Sequence, residues 1–170
     1  MTRKHTHACS IAAALNELGD RWTLLLIREA FYGARRFYEF QQNTGISKSL
    51  LSERLNQLVE SGIFKRVDFA DRGTNYAYEL TDKGRALETV MVALQQWADV
   101  HIYGEGAEPV VLKEGDTGQV LPDLKLTNAD GGILHFEDLI AVLGPGGDKR
   151  TERRLEAARQ PRTLPATSDN

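Results

Sequence analysis

Along the first hundred residues the spacing of apolar positions changes repeatedly, and each change predicts an element. Ile11, Leu15 and Leu18 stand at i, i+4 and i+7, one face of a helix, and Gly19 stops the run. Asp20 is placed to cap a second helix, in which Trp22, Leu25, Leu26, Glu29 and Ala30 keep helical spacing until Gly33. A third, short helix is predicted over 35–42, with Phe37 and Phe40 as its buried pair, before Asn43, Thr44 and Gly45 turn the chain. The next helix, 47–61, has both ends marked: Ser47 as N-cap, Ile46 set to staple onto Leu51, and Gly62 as the stop. At about 100° per residue, Leu51, Leu55, Leu58 and Val59 share one arc. Ser49, Glu53 and Asn56 lie opposite, with Lys48 and Ser52 on the flanks.

After Gly62 the period shortens to two. Ile63, Val67 and Phe69 fall on one face, residues 71–75 turn with Arg72 at the tip, and Tyr76, Tyr78 and Leu80 alternate again. This predicts a β-hairpin over 63–80. Helical spacing returns over 82–103, carrying Leu87, Val90, Met91, Leu94, Trp97, Ala98, His101 and Ile102 on one stripe. The stripe is long for so small a domain. Together with Ile11 and Leu15 it is expected to be a dimer surface, because an apolar strip outside a compact core needs a partner.

The Gly- and Glu-rich stretch 104–118 reads as a linker. Strands over 120–126 and 133–136 around a turn at 128–132, then a short helix over 137–143, are expected in a small extension, 119–147. The remainder, 148–170, is expected to be part helix and part disorder. The fold class is therefore α+β, mostly α: a winged helix-turn-helix with a long C-terminal dimerisation helix and a small C-terminal β-hairpin extension. Residues 1–103 form its DNA-binding and dimerisation domain.

Helix, turn, second helix and hairpin is the order that sets one helix in a major groove and the hairpin beside the backbone. Base edges there are read by short hydrogen-bonding side chains near a helix N-terminus, and Ser47, Lys48, Ser49, Ser52, Glu53 and Asn56 supply that chemistry. Ser47 and Ser49 also lie where free backbone N–H groups favour a phosphate. Arg35, Arg36, Lys65, Arg66 and Arg72 are placed for backbone contacts, Arg72 with reach into a minor groove.

Charge permits this without demanding it. The 170 residues carry a net charge of −3, but residues 1–103 hold 13 Lys and Arg against 12 Asp and Glu, so the acidity is C-terminal. No stretch approaches the roughly 20 apolar residues of a membrane helix, and no signal peptide is seen, so a cytoplasmic protein is expected. The lone cysteine, Cys9, closes no disulfide within the chain. At the start of a helix its thiol pKa should be lowered, which favours the thiolate and makes thiol sensing physically sound; the competing reading is a small packed residue. His5, His7 and Cys9 fall short of a metal site, lacking a fourth ligand. Neither a metal nor another cofactor is expected. Trp22, Trp97 and the tyrosines read as core and interface, although a cavity among them would admit a small aromatic effector.

The runs Cys9-Ser10-Ile11, 19–28 (GDRWTLLLIR) and 33–37 (GARRF) resemble the HxlR family of winged-helix regulators, relatives of the MarR group. Further matches are Gly45-Ile46-Ser47, 50–55 (LLSERL), Gly62-Ile63, 78–81 (YELT), Gly84 and Trp97. In order over about a hundred residues, these are far more specific than any single motif. The resemblance implies a dimeric repressor or activator bound to duplex DNA at a palindromic operator. Family members commonly keep a cysteine at the position of Cys9, and some use it to sense quinones, aldehydes or disulfides. Some carry a C-terminal extension whose cysteines form a metal-knuckle-like hairpin; residues 120–147 resemble its outline but contain no cysteine. Against these stand a winged-helix module that binds protein instead of DNA, and an enzyme. The latter has little support, because G-x-S-x-G, a phosphate-binding Gly loop, C-x-x-C and H-E-x-x-H are all missing.

Overall fold

The computed structural model describes residues 5–6, 8–68 and 76–159. Helices α1 (Ser10–Leu18), α2 (Arg21–Phe31), α3 (Phe37–Thr44) and α4 (Lys48–Glu60) come first. Strands β1 (Phe64–Asp68) and β2 (Tyr76–Leu80) pair antiparallel from Phe64 opposite Leu80 to Asp68 opposite Tyr76. Then come α5 (Asp82–Arg85) and α6 (Glu88–Ala98), which widens into a π-helical turn at Asp99–Tyr103. Strands β3 (Leu126–Thr127) and β4 (Ile133–Leu134), a 3-10 turn at Phe136–Asp138 and α7 (Lys149–Arg159) complete the described chain. The arrangement is a winged helix-turn-helix, α+β and mostly α.

The core lies where α2, α3, α4 and the β1–β2 wing meet. Leu26, Ile27, Phe40, Ile46, Leu51, Leu55, Leu58, Ile63, Phe64, Tyr78 and Leu80 are buried together. The rings of Phe40, Phe64 and Tyr78 lie 5.9 to 6.4 Å apart, centroid to centroid. Each large side chain taken from water contributes roughly 1.5–3 kcal/mol, so this cluster fixes the angle of α4. Both ends of α4 are set as its sequence implies. Ile46 and Leu51 are buried beside its start. At its end Gly62 has φ +71°, and the N–H groups of Gly62 and Ile63 reach the carbonyls of Val59 and Leu58 at 3.0 and 2.9 Å. That is a Schellman stop, reached at low cost only by glycine.

Several expectations need correction. The third helix begins at Phe37 and runs to Thr44, two residues later than the 35–42 span predicted. Arg35 and Arg36 are held out of the helix because the Glu39 carboxylate accepts from both backbone N–H groups, at 2.7 and 2.8 Å. The Arg35 carbonyl meanwhile accepts from Tyr78 N–H at 2.8 Å, so this segment lies along the edge of β2. Phe40 is fully buried, whereas Phe37 is only partly so. In the wing Ile63 is buried as expected, but Phe64, paired with Leu80, is buried beside it, and Val67, on the face opposite to that of Phe64 and paired with Ala77, is only partly buried. Phe69 and the 71–75 turn, with Arg72, lie outside the described residues.

The single helix predicted over 82–103 is interrupted at Ala86 and Leu87. Its first turn is fixed by the wing: the Thr81 hydroxyl donates to the Gly62 carbonyl at 2.5 Å and accepts from Gly84 N–H at 3.1 Å. A Cβ on Gly84 would stand 2.3 Å from the Ile63 carbonyl oxygen, so the wing base and α5 touch backbone to backbone. Beyond Ala98 the helix loosens until Gly104, whose N–H reaches the Asp99 carbonyl at 2.8 Å.

The stretch 104–118 is not a free tether along its length. Gln95 donates to the Val110 carbonyl at 2.9 Å, and Lys113 and Val120 form an isolated bridge. The second hairpin exists but is reduced to two pairs, Leu126 with Leu134 and Thr127 with Ile133. Its turn is held by the Asn128 side-chain oxygen, which accepts from Asp130 and Gly132 N–H. The helix expected over 137–143 is absent: Asp138 folds back to accept from His135 N–H at 2.7 Å, and Leu139 is already extended. Part of the expected C-terminal helix is present as α7, capped by Asp148 accepting from Thr151 N–H at 2.8 Å.

Candidate nucleic-acid interface

Leu51, Leu55 and Leu58 bind α4 to the core, which leaves its other face outward. Ser47 caps the helix through its backbone alone; its hydroxyl makes no cap hydrogen bond. Among the described residues, no partner engages the side chains of Ser47, Lys48, Ser49 or Ser52, and all four are exposed. The N–H groups of the first turn are free as in any helix, so hydroxyls, an ammonium and backbone donors converge at one end. That set of donors suits phosphate and base-edge acceptors.

Asn56, Arg66, Arg35, Lys65 and Glu53 are engaged. The Asn56 side-chain oxygen accepts a short hydrogen bond from the Arg66 guanidinium, which lies 4.8 Å over the Tyr76 ring. Asn56 keeps its amide hydrogens as donors, while Arg66 is fixed where α4 meets the wing. Arg35 and Lys65 share the Glu79 carboxylate at 3.1 and 3.4 Å, so a phosphate would have to compete for them. Glu53 accepts from Gln57 at 3.2 Å and lies 3.6 Å from Arg54, which turns it toward its own helix. The Glu39 carboxyl is held below its usual range by the N–H groups of Arg35 and then Arg36. Burial, then the Tyr76 hydroxyl, push the Tyr78 phenol up to about 12, so it stays a neutral donor to Tyr76.

Two supporting residues escaped the sequence reading. Arg54 reaches Asp20 at 3.2 Å and Gln57 at 2.6 Å, tying α4 to the cap of α2, while the other Asp20 oxygen accepts from Trp22 N–H at 2.9 Å. Glu29 is buried, 6% exposed, and is satisfied by Arg28 at 2.5 Å and by the Asn43 amide at 2.8 Å. Its helical spacing with apolar residues could equally mark an ordinary core face, so no local signal revealed the pairing.

Cys9 is the N-cap of α1, and its thiol is held below its usual value. The Ala12 N–H is the largest cause, followed by the Arg154 side chain of α7. Thr151 of α7 also donates to the Ala8 carbonyl at 3.0 Å, so the end of the described chain packs against its beginning. Of the expected dimer residues, Ile11 (73%), Leu15, Val90, Leu94, Trp97 (55%) and His101 are exposed, with the His101 ring 5.5 Å from that of Trp97. Leu87 and Met91 instead pack against the chain's own core. Trp22 also packs there, and the cavity lies elsewhere: a cleft of about 700 Å³ between α2 and α6, bordered by Phe31, Tyr32, Tyr103 and Val110.

The HxlR-like helix-turn-helix family model matches residues 17–105. An uncharacterized HTH-type transcriptional regulator of Mycobacterium tuberculosis is 41% identical over 137 residues, covering 81% of this chain and 87% of its own length. The crystal structure of PA1607, a putative transcription factor, matches with a TM-score of 0.75 at 40% identity, covering 79% of this chain and 94% of that one. The redox regulator HypR in its reduced form matches with a TM-score of 0.50 at 26% identity, over 53% of this chain and 90% of its own. Among the described residues no helix is long and apolar enough to cross a membrane. The chain belongs to the HxlR-like helix-turn-helix family and is a DNA-binding transcriptional regulator.

Proposed function

We propose that two copies of the chain bind a palindromic duplex operator in the cytoplasm, each setting the 47–61 helix into a major groove and the 63–80 wing on the adjoining backbone or minor groove. The observation that carries this is the row of exposed, unengaged Ser47, Lys48, Ser49 and Ser52 on a helix whose opposite face is locked in the core. Lys48 and the α4 N-terminus meet phosphate, and Ser49, Ser52 and the Asn56 amide read base edges. Glu53 accepts from cytosine or repels phosphate. Arg66 is pre-oriented for the backbone, whereas Arg35 and Lys65 bind it by exchanging Glu79 for phosphate; Arg36 and Arg72 add to the same contact. The exposed strip of Ile11, Leu15, Val90, Leu94, Trp97 and His101 joins the two copies.

Thiol-reactive agents act on Cys9, a reading supported by its lowered thiol pKa and by the likeness to a redox regulator. The apolar cleft between α2 and α6 is the place for a small aromatic effector, its volume within the usual range for such sites.

Selection of bound duplexes from a random pool, at several salt concentrations, tests the reading. Paired half-sites about one helical turn apart, roughly 34 Å, are the expected enrichment. A pool left unenriched in dilute salt contradicts it and favours a protein-binding winged helix.

A further inference from the structure

Residues 104–159 contain no buried side chain, yet they carry Phe136, Ile140 and Val142 largely out in solvent, the first two 82% and 80% exposed. An appendage with no core of its own does not hold large apolar groups in water without a partner surface. It is tied at two places to residues that neighbour the strip already assigned to the dimer. Near its start, Gln96, the neighbour of Trp97, donates to the Pro122 carbonyl at 3.0 Å and accepts from Leu124 N–H at 2.9 Å. At its end, Thr151 holds α7 to Ala8, just ahead of α1.

Charge points to what covers it. The stretch 119–143 holds four Asp and Glu against one Lys, while α7 holds five Lys and Arg against two Glu. Among the described residues these charges form no ion pair with one another, every ion pair falling within residues 20–85. α7 touches the stretch of its own chain through Arg159, which donates to the Ala141 carbonyl at 3.1 Å, leaving Arg150 and Arg153 without an acidic partner there. An acidic surface excludes nucleic acid as the occupant. A second copy supplies both what the acidic stretch lacks and what the basic helix lacks, and a two-fold axis satisfies both contacts at once.

We propose that the C-terminal extension is a second dimer contact, in which the acidic, apolar-edged stretch 119–143 of each copy receives the basic α7 of the other. This rests on the homodimer reading and adds the partner surface to it.

The test is sedimentation equilibrium of the full chain in three forms: wild type, Arg150→Glu with Arg153→Glu, and Asp123→Lys with Glu137→Lys. Each double variant alone should dimerise about tenfold more weakly, and an equimolar mixture should recover wild-type association. The recovery guards against a variant that merely fails to fold. Phe136→Asp should weaken association similarly. Wild-type dimers with undiminished variants overturn this contact while leaving the homodimer intact, and so does weakening that mixing does not repair. A wild type that stays a single subunit overturns both.

Discussion

The winged half of the chain, to Tyr103, and the extension beyond it are built on opposite terms. The first closes a core around Phe40, Leu55 and Phe64, each at most 1% exposed, whereas the second buries none of its described residues. In the winged half, local packing positions α4 and leaves a polar face free. In the extension, hydrogen bonds to Gln95 and Gln96 and the turn around Asn128 give shape without a core. Geometry for reading DNA therefore depends on side chains out of water, and the extension depends on what it is attached to.

The sharpest way to break this contrast is to cut equal volumes from both halves. Leu55→Ala should lower unfolding free energy by about 3 kcal/mol in urea titrations, whereas the exposed Leu126→Ala should change it by less than about 0.5 kcal/mol. Similar costs would mean that the extension shares the core.

A smaller effect, lost in acid, is expected at Glu39. Its carboxyl pKa is lowered in the fold, so its contribution is complete above its unfolded value and is lost as pH falls through the folded one. Unfolding curves of wild type and Glu39→Gln should converge on acidification and separate near neutrality. Parallel curves would remove Glu39 as the brace holding Arg35 and Arg36 out of α3.

A link between the halves with fewer hydrogen bonds than Gln95 and Gln96 provide is the contact of α7 with Ala8 and Cys9. Because Arg154 lowers the thiol pKa, Arg154→Ala should raise it and slow alkylation of Cys9 at pH 7 by a few fold, with little change in stability. The measured pH dependence of alkylation checks this; an unchanged profile would leave only the helix N-terminus acting on the thiol.

What the sequence made legible follows the same division. The α4 boundaries were readable because Ser47, Ile46 and Gly62 each mark an end by local chemistry. The wing was readable in outline, but Ile63 and Phe64 are adjacent apolar residues that are both buried, so a period of two could not choose between them. Leu87 and Met91 could not be told from Val90 and Trp97, because one broad stripe faces the core along one edge and solvent along the other. The late start of α3 is set by Glu39 three residues after its Arg36 cap, a local mark that the apolar spacing of Phe37 and Phe40 overrode, whereas the approach of Arg154 to Cys9 joins opposite ends of the chain and leaves no local trace. The expected helix over 137–143 had an apolar pattern but no core to fold against.

The central claim is that the free end of α4 meets DNA, and the salt dependence of duplex affinity for wild type and Lys48→Ala tests it most directly. Loss of one phosphate contact should weaken binding to every duplex by about fivefold and flatten the log–log salt slope by roughly one. Equal slopes and equal affinities would contradict it.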